Sequence, residues 1–224
     1  IGMVADDVRR VGGPHVEVTS LMGPGVDPHL YKASEGDLAR LTEADVIFYN
    51  GLNLEGKMGD VLVKMASGGK PTIPVADAVE KSLLREPPEF AGHYDPHVWF
   101  DLAMWSQTVP PVVEALSRLD PAHAADYQAN GTAYQAELKA LDEDCRRTLA
   151  EIPREQRVLV TAHDAFGYFG RAYEVEVIGL QGISTLTEAS LSSVADLSAM
   201  LARRKIKAVF VESSVPRRNI EAVV

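Results

Sequence analysis

The sequence predicts an α/β protein made of two lobes of strand–helix repeats linked by one long rigid helix. Three observations carry this expectation. Short runs of β-branched and aromatic residues alternate with stretches whose apolar side chains recur every three or four positions. One helical stretch continues for roughly 30 residues, which at about 1.5 Å per residue makes a rod of about 45 Å. The strand–helix alternation then resumes beyond it. The expected division is an N-terminal lobe over 1–120, the linking helix over 121–151 and a C-terminal lobe over 152–224.

The elements follow in order. Residues 16–21 read as a strand closed by the Met22-Gly23-Pro24-Gly25 turn, and 34–42 as a helix with Ser34 as cap and Asp37 at its third position. The apolar run 45–49 reads as a buried strand, 54–65 as a helix and 71–75 as a short strand. Residues 84–96, rich in proline, glycine and acid, read as a loop. Leu102, Trp105, Val109, Val112, Leu116 and Leu119 mark a helix that Pro110-Pro111 should kink or restart. Asp120-Pro121 supplies a cap and a first-turn proline for the rod, whose stripe is Tyr127, Tyr134, Leu138, Leu141, Cys145 and Leu149. After it come strands at 157–161, 175–179 and 207–211, and helices at 164–173 and 191–204.

Composition narrows the function. The 224 residues carry 32 acidic and 22 basic side chains, a net charge of −10, which argues against a nucleic-acid partner. No apolar run is long enough to span a bilayer. The single Cys145 cannot close an internal disulfide or build a thiolate zinc site, and its place on the rod's stripe makes it a packing residue. There is no Gly-x-Ser-x-Gly elbow and no Walker loop.

The chemistry lies in the histidines. Asp-Pro-His occurs twice, at Asp27-Pro28-His29 and Asp95-Pro96-His97. Proline fixes its own φ and holds its predecessor extended, so each unit presents its histidine on a stiff turn, as a metal ligand requires. Asp27 and Asp95 are auxiliary candidates, able to accept a hydrogen bond from an imidazole. The alternative is that Asp-Pro merely opens a turn. His163 follows the strand 157–161 at the start of a helix, where open α/β sheets bind ligands and where the helix dipole would keep an imidazole neutral. A capping or core histidine is the alternative there. Neutral imidazoles suit zinc, and manganese if a carboxylate joins them. Glu212 could approach the same cleft, but the reading favoured here is that it braces the turn after 207–211. His15, His93 and His123 read as surface or auxiliary residues.

These stretches resemble a known family. Met22-Gly-Pro-Gly-Val-Asp-Pro-His29-Leu-Tyr31, Asn50-Gly-Leu-Asn-Leu-Glu55, Asp95-Pro-His-Val-Trp-Phe-Asp101, Val160-Thr-Ala-His-Asp-Ala-Phe-Gly-Tyr-Phe169 and Phe210-Val-Glu-Ser-Ser214 stand in the order found in the TroA-like metal-binding proteins of bacterial ABC importers. The resemblance implies two α/β lobes joined by a rigid helix, with zinc or manganese held between them by His29, His97 and His163 for delivery to a transporter permease. It implies a periplasmic or cell-surface monomer that is not an enzyme and meets the membrane only through a lipid anchor or the permease. It places the family's first strand ahead of Ile1 and its fourth ligand, an aspartate, beyond Val224; a form extended past Val224 is expected to bind metal more tightly. The competing reading is a zinc-dependent hydrolase that activates water at an open coordination position, with Asp164 or Glu212 as base.

Overall fold

The computed structural model describes residues 1–186, 190–206, 208–215 and 218–221. Its first element, helix α1 (Gly2–Gly12), has no counterpart among the sequence expectations. Valines at 4, 8 and 11 give it modest helical propensity. Burial of all three against the helices Val109–Leu119 and Ala124–Ala150 overrides that preference. Gly13, at φ +55°, ends the helix in a backbone conformation that disfavours a side chain.

Helix α2 (Glu35–Glu43) begins with the expected cap: Ser34 Oγ accepts the Asp37 N–H, and the Asp37 carboxylate accepts the Ser34 N–H. Strand β1 (Ile47–Tyr49), helix α3 (Gly59–Ser67) and strand β2 (Thr72–Pro74) follow, with β1 and β2 parallel and Ile47 opposite Thr72. The strand expected at 16–21 does not form a ladder. It pairs with no strand among the described residues, and Val18 and Leu21 line a cavity of about 770 Å³ together with Ile47 and Tyr49 of β1. Pairing needs backbones about 4.8 Å apart.

The 84–96 segment is a loop with one 3-10 turn, Pro88–Phe90. Helix α4 (Leu102–Trp105) passes through a 3-10 turn into α5 (Val109–Leu119), so Pro110 and Pro111 fall in a helix's first turn, where a missing N–H is harmless. The rod is helix α6 (Ala124–Ala150), 27 residues long. Asp120 does not cap it; its carboxylate instead takes the His123 Nδ1 and Tyr127 hydroxyl hydrogen bonds. Tyr127, Gly131, Tyr134 and Leu138 bury the first half of α6 in the N-terminal core. Further along the expected stripe fades: Leu141 is exposed and Cys145 half-buried. There Asp142 accepts from the Tyr173 hydroxyl and Arg146 donates to the Ala172 carbonyl. The rod thus reaches from one lobe to the other.

Beyond α6, strand β3 (Val158–His163), helix α7 (Gly167–Tyr173) and strand β4 (Glu176–Gln181) form a parallel unit. Helices α8 (Leu191–Arg204) and α9 (Arg218–Glu221) complete the described chain. Val160, Leu180, Leu197, Leu201 and Ile220 make the core of this lobe. Of the strand expected at 207–211, Phe210 bridges to Thr161, and Lys207 lies outside the described residues. Strand β3 runs two residues past its expected end, and α7 starts three residues late. The cause is local: the Asp164 N–H bonds the Gln181 carbonyl at 3.0 Å and keeps the chain extended through His163.

Candidate metal centre

The two Asp-Pro-His units fold alike because their chemistry is alike. In each, the aspartate Oδ1 accepts the backbone N–H of its own histidine two residues on, at 2.9 Å for His29 and 3.1 Å for His97, while proline sets the bend between them. The turns then differ. At 95 the same Oδ1 also accepts His97 Nδ1–H at 2.8 Å, whereas the second oxygen of Asp27 accepts from the Thr185 hydroxyl at 2.6 Å, and Asp27 makes no hydrogen bond to the His29 ring. Asp95 therefore orients an imidazole, and Asp27 orients only backbone.

His163 closes β3, opposite Gln181 in the ladder. It does not open a helix, so the dipole expected to keep it neutral is absent. Glu212 takes that position instead: its Oε1 accepts from His163 Nδ1 at 3.0 Å and its Oε2 lies 3.3 Å from the Ala162 N–H. This corrects the expectation that the Glu212 side chain braces the following turn; only its carbonyl does so, to Val215 N–H. With the carboxylate committed to these donors, the hydrolase reading loses one of its two candidate bases.

The three rings meet in the interior. His29, His97 and His163 are 4%, 2% and 7% exposed, and one nitrogen from each lies within 4.8 Å of the others. His29 Nε2 and His97 Nε2 are 3.3 Å apart. Two nitrogens on a tetrahedral zinc at about 2.05 Å would be roughly 3.3 Å apart, so this edge already has the spacing a metal imposes. Burial, reinforced by the neighbouring imidazoles, pulls the His29 pKa down to about 3. Burial also lowers that of His97, against the opposing pull of Asp95. Burial pushes the Glu212 carboxyl up, but its bond to His163 and nearby backbone donors outweigh this and leave it below the ordinary value. The result is three nitrogen donors, with His29 and His97 held toward the neutral form, backed by two carboxylates, one bond removed, that balance a cation's charge.

Other residues support the centre that sequence reasoning did not assign to it. Glu55 accepts the N–H groups of Asn50 and Gly51, and Asn50 Nδ2 donates to the Pro96 carbonyl at 3.0 Å, so the 50–55 stretch props the His97 turn. Arg85, Tyr168 and Thr185 belong to the same framework. His93 is exposed, and His15 stacks on His123 with ring centroids 3.8 Å apart, away from the three histidines.

Comparison with known proteins is consistent over the whole chain. The family model for the zinc-uptake complex component A, periplasmic, matches residues 1–224. The zinc-binding protein TroA of Treponema pallidum is 48% identical over 225 residues, covering all of this chain and 71% of its own. The manganese-binding lipoprotein MntA of Bacillus subtilis is 49% identical over 221 residues, covering 99% of this chain and 72% of its own. The solved structure of the Treponema pallidum periplasmic zinc-binding protein TroA superposes with a TM-score of 0.95 at 48% identity, over all of this chain and 79% of that one.

Proposed function

The chain belongs to the zinc-uptake component A family of periplasmic metal-binding proteins, and from that premise we propose that it captures zinc or manganese and hands it to the permease of an ABC importer. The observation that carries this is the convergence of three buried imidazoles, a donor set suited to zinc and tolerant of manganese. His29, His97 and His163 are the proposed ligands. Asp95 and Glu212 fix the tautomers of two of them, and Asp27 holds the third turn in place.

The metal is cargo, and the role is not enzymatic. Like its relatives, the chain works outside the cytoplasmic membrane, and among the described residues no helix is long and apolar enough to cross one. We take residues 1–120 and 152–224 as lobes, 121–151 as the strut between them, and the working form as a monomer; a lipid tether, as in the manganese-binding relative, fits this role. Titration calorimetry with zinc and with manganese tests the reading. One ion per chain should bind, and H29A or H163A should lose affinity by orders of magnitude; binding unchanged in either variant refutes the assignment.

A further inference from the structure

Asp95 has 0% exposure, and a carboxylate so buried needs a partner charge. Arg85 supplies it. Its Nη1 lies 2.8 Å from Asp95 Oδ2, opposite the oxygen that holds His97 Nδ1, and the loop between the two residues is closed at its neck by the Asp95 N–H to Arg85 carbonyl bond at 2.9 Å. The far side of this arrangement belongs to the other lobe. Tyr168 of α7, fully buried, donates its hydroxyl to the Asp95 carbonyl at 2.9 Å and accepts the Arg85 N–H at 3.0 Å. The guanidinium passes directly over Gly167, the first residue of α7: a Cβ built there would stand 1.1 Å from Nη1.

We propose that Arg85, seated on Gly167, is a positioning residue for metal capture, acting through Asp95 to hold His97 in register with the lobe that carries His163. This rests on the reading of His97 as a ligand. Arg85 and Tyr168 together make the neck of the 85–95 loop follow α7, so the position of α7 is transmitted to one imidazole by an unbroken run of hydrogen bonds. Glycine at 167 is what leaves room for the guanidinium, since a methyl group there would push it off Asp95 without altering any charge.

Zinc affinity by chelator competition, the visible spectrum of the cobalt(II)-loaded protein and the metal-free melting temperature, measured for wild type, R85M, R85K and G167A, decide the matter. R85M and G167A should lose roughly 10- to 100-fold in zinc affinity, the range typical for partners of a ligating histidine. Both should shift the cobalt bands, and R85K should recover part of the loss. G167A is the sharper test and stands if R85M does not fold, because alanine is the better helix former and a purely structural effect would leave affinity intact. Wild-type affinity and spectrum in G167A overturn the proposal, as does an affinity loss that tracks melting temperature with cobalt bands unmoved. Failure of the wild-type chain to bind zinc would refute the metal-site reading itself, and this inference with it.

Discussion

Glu212 Oε1 lies 3.0 Å from His163 Nδ1, joining residues 49 apart in sequence. The bond makes His163 a fixed tautomer, with Nδ1–H spent on the carboxylate and Nε2 left for coordination. Glutamine at 212 would offer one acceptor where the His163 ring and the Ala162 N–H present two donors. E212Q is therefore expected to weaken zinc binding about 10-fold or more, by the usual cost of disturbing such a partner. Wild-type affinity for E212Q in a competition titration would show that the carboxylate is dispensable.

Across the cleft, the Thr185 hydroxyl donates to Asp27 Oδ2 at 2.6 Å, while Asp27 Oδ1 holds the His29 N–H. The bond ties the chain just after β4 to the turn that carries His29. Hydrogen bonds to charged groups are worth about 1.5–3 kcal/mol, so T185V, which keeps the shape and removes the hydroxyl, should release zinc roughly tenfold faster. Chelator-driven release followed by stopped flow measures this, and an unchanged rate would show that the bond does not restrain the loaded site.

How far this site could be foreseen depends on the range over which each residue's chemistry acts. Asp27-Pro28-His29 and Asp95-Pro96-His97 declare themselves because a tripeptide fixes its own turn, and His163 because it sits at the end of an apolar strand run. The strut and the alternating elements are legible from periodicity alone. Glu212 is legible only as a carboxylate that could reach the cleft, and Arg85 not at all, since their roles depend on partners 49 and 10 residues away and on packing that no local pattern encodes. Helix α1 is not legible either, because valine and glycine argue weakly for helix until the core that buries the valines is known. The segment 16–21 has strand composition, but a strand is a property of two backbones, and none among the described residues pairs with it.

Gly179 of β4 offers a test of how firmly the His163 turn is seated. A Cβ there would stand 2.6 Å from the Asp164 backbone nitrogen and 2.8 Å from its Cα, contacts that backbone cannot yield cheaply. G179A should force the 163–165 turn outward, costing about 1–3 kcal/mol as overpacking does. Zinc affinity should fall with it, because the displaced atoms adjoin His163. Denaturant unfolding and zinc titration on the same sample check both halves; a stable variant with full affinity would mean the turn has room that its geometry denies.

Two buried groups should give the metal-free protein opposing responses to pH. His29 titrates near 3 in the fold and near 6.5 when unfolded, so between those values the unfolded chain binds more protons, and stability is lost as pH falls below about 6.5. Asp7 runs the other way. Burial lifts it to about 7, against the hydrogen bonds of Thr108, Tyr134 and Trp105, so the folded chain binds more protons between about 3.8 and 7, and stability is lost as pH rises through that window. The hydrogen-bond count favours a protonated Asp7 in the fold: Thr108 Oγ1 lies 2.7 Å from both Asp7 Oδ2 and the Trp105 carbonyl, yet has one hydrogen to donate. Asparagine copies the protonated acid, with its carbonyl toward Trp105 and Tyr134 and its amide toward Thr108. D7N should therefore match or exceed wild-type stability at pH 8. It should also expose the His29 response that Asp7 masks, rising more steeply than wild type from pH 4 to 6.5. Thermal unfolding with chelator present measures both profiles. A D7N protein that is less stable than wild type at pH 8, with an unaltered slope, would mean that the core holds Asp7 as a charged carboxylate.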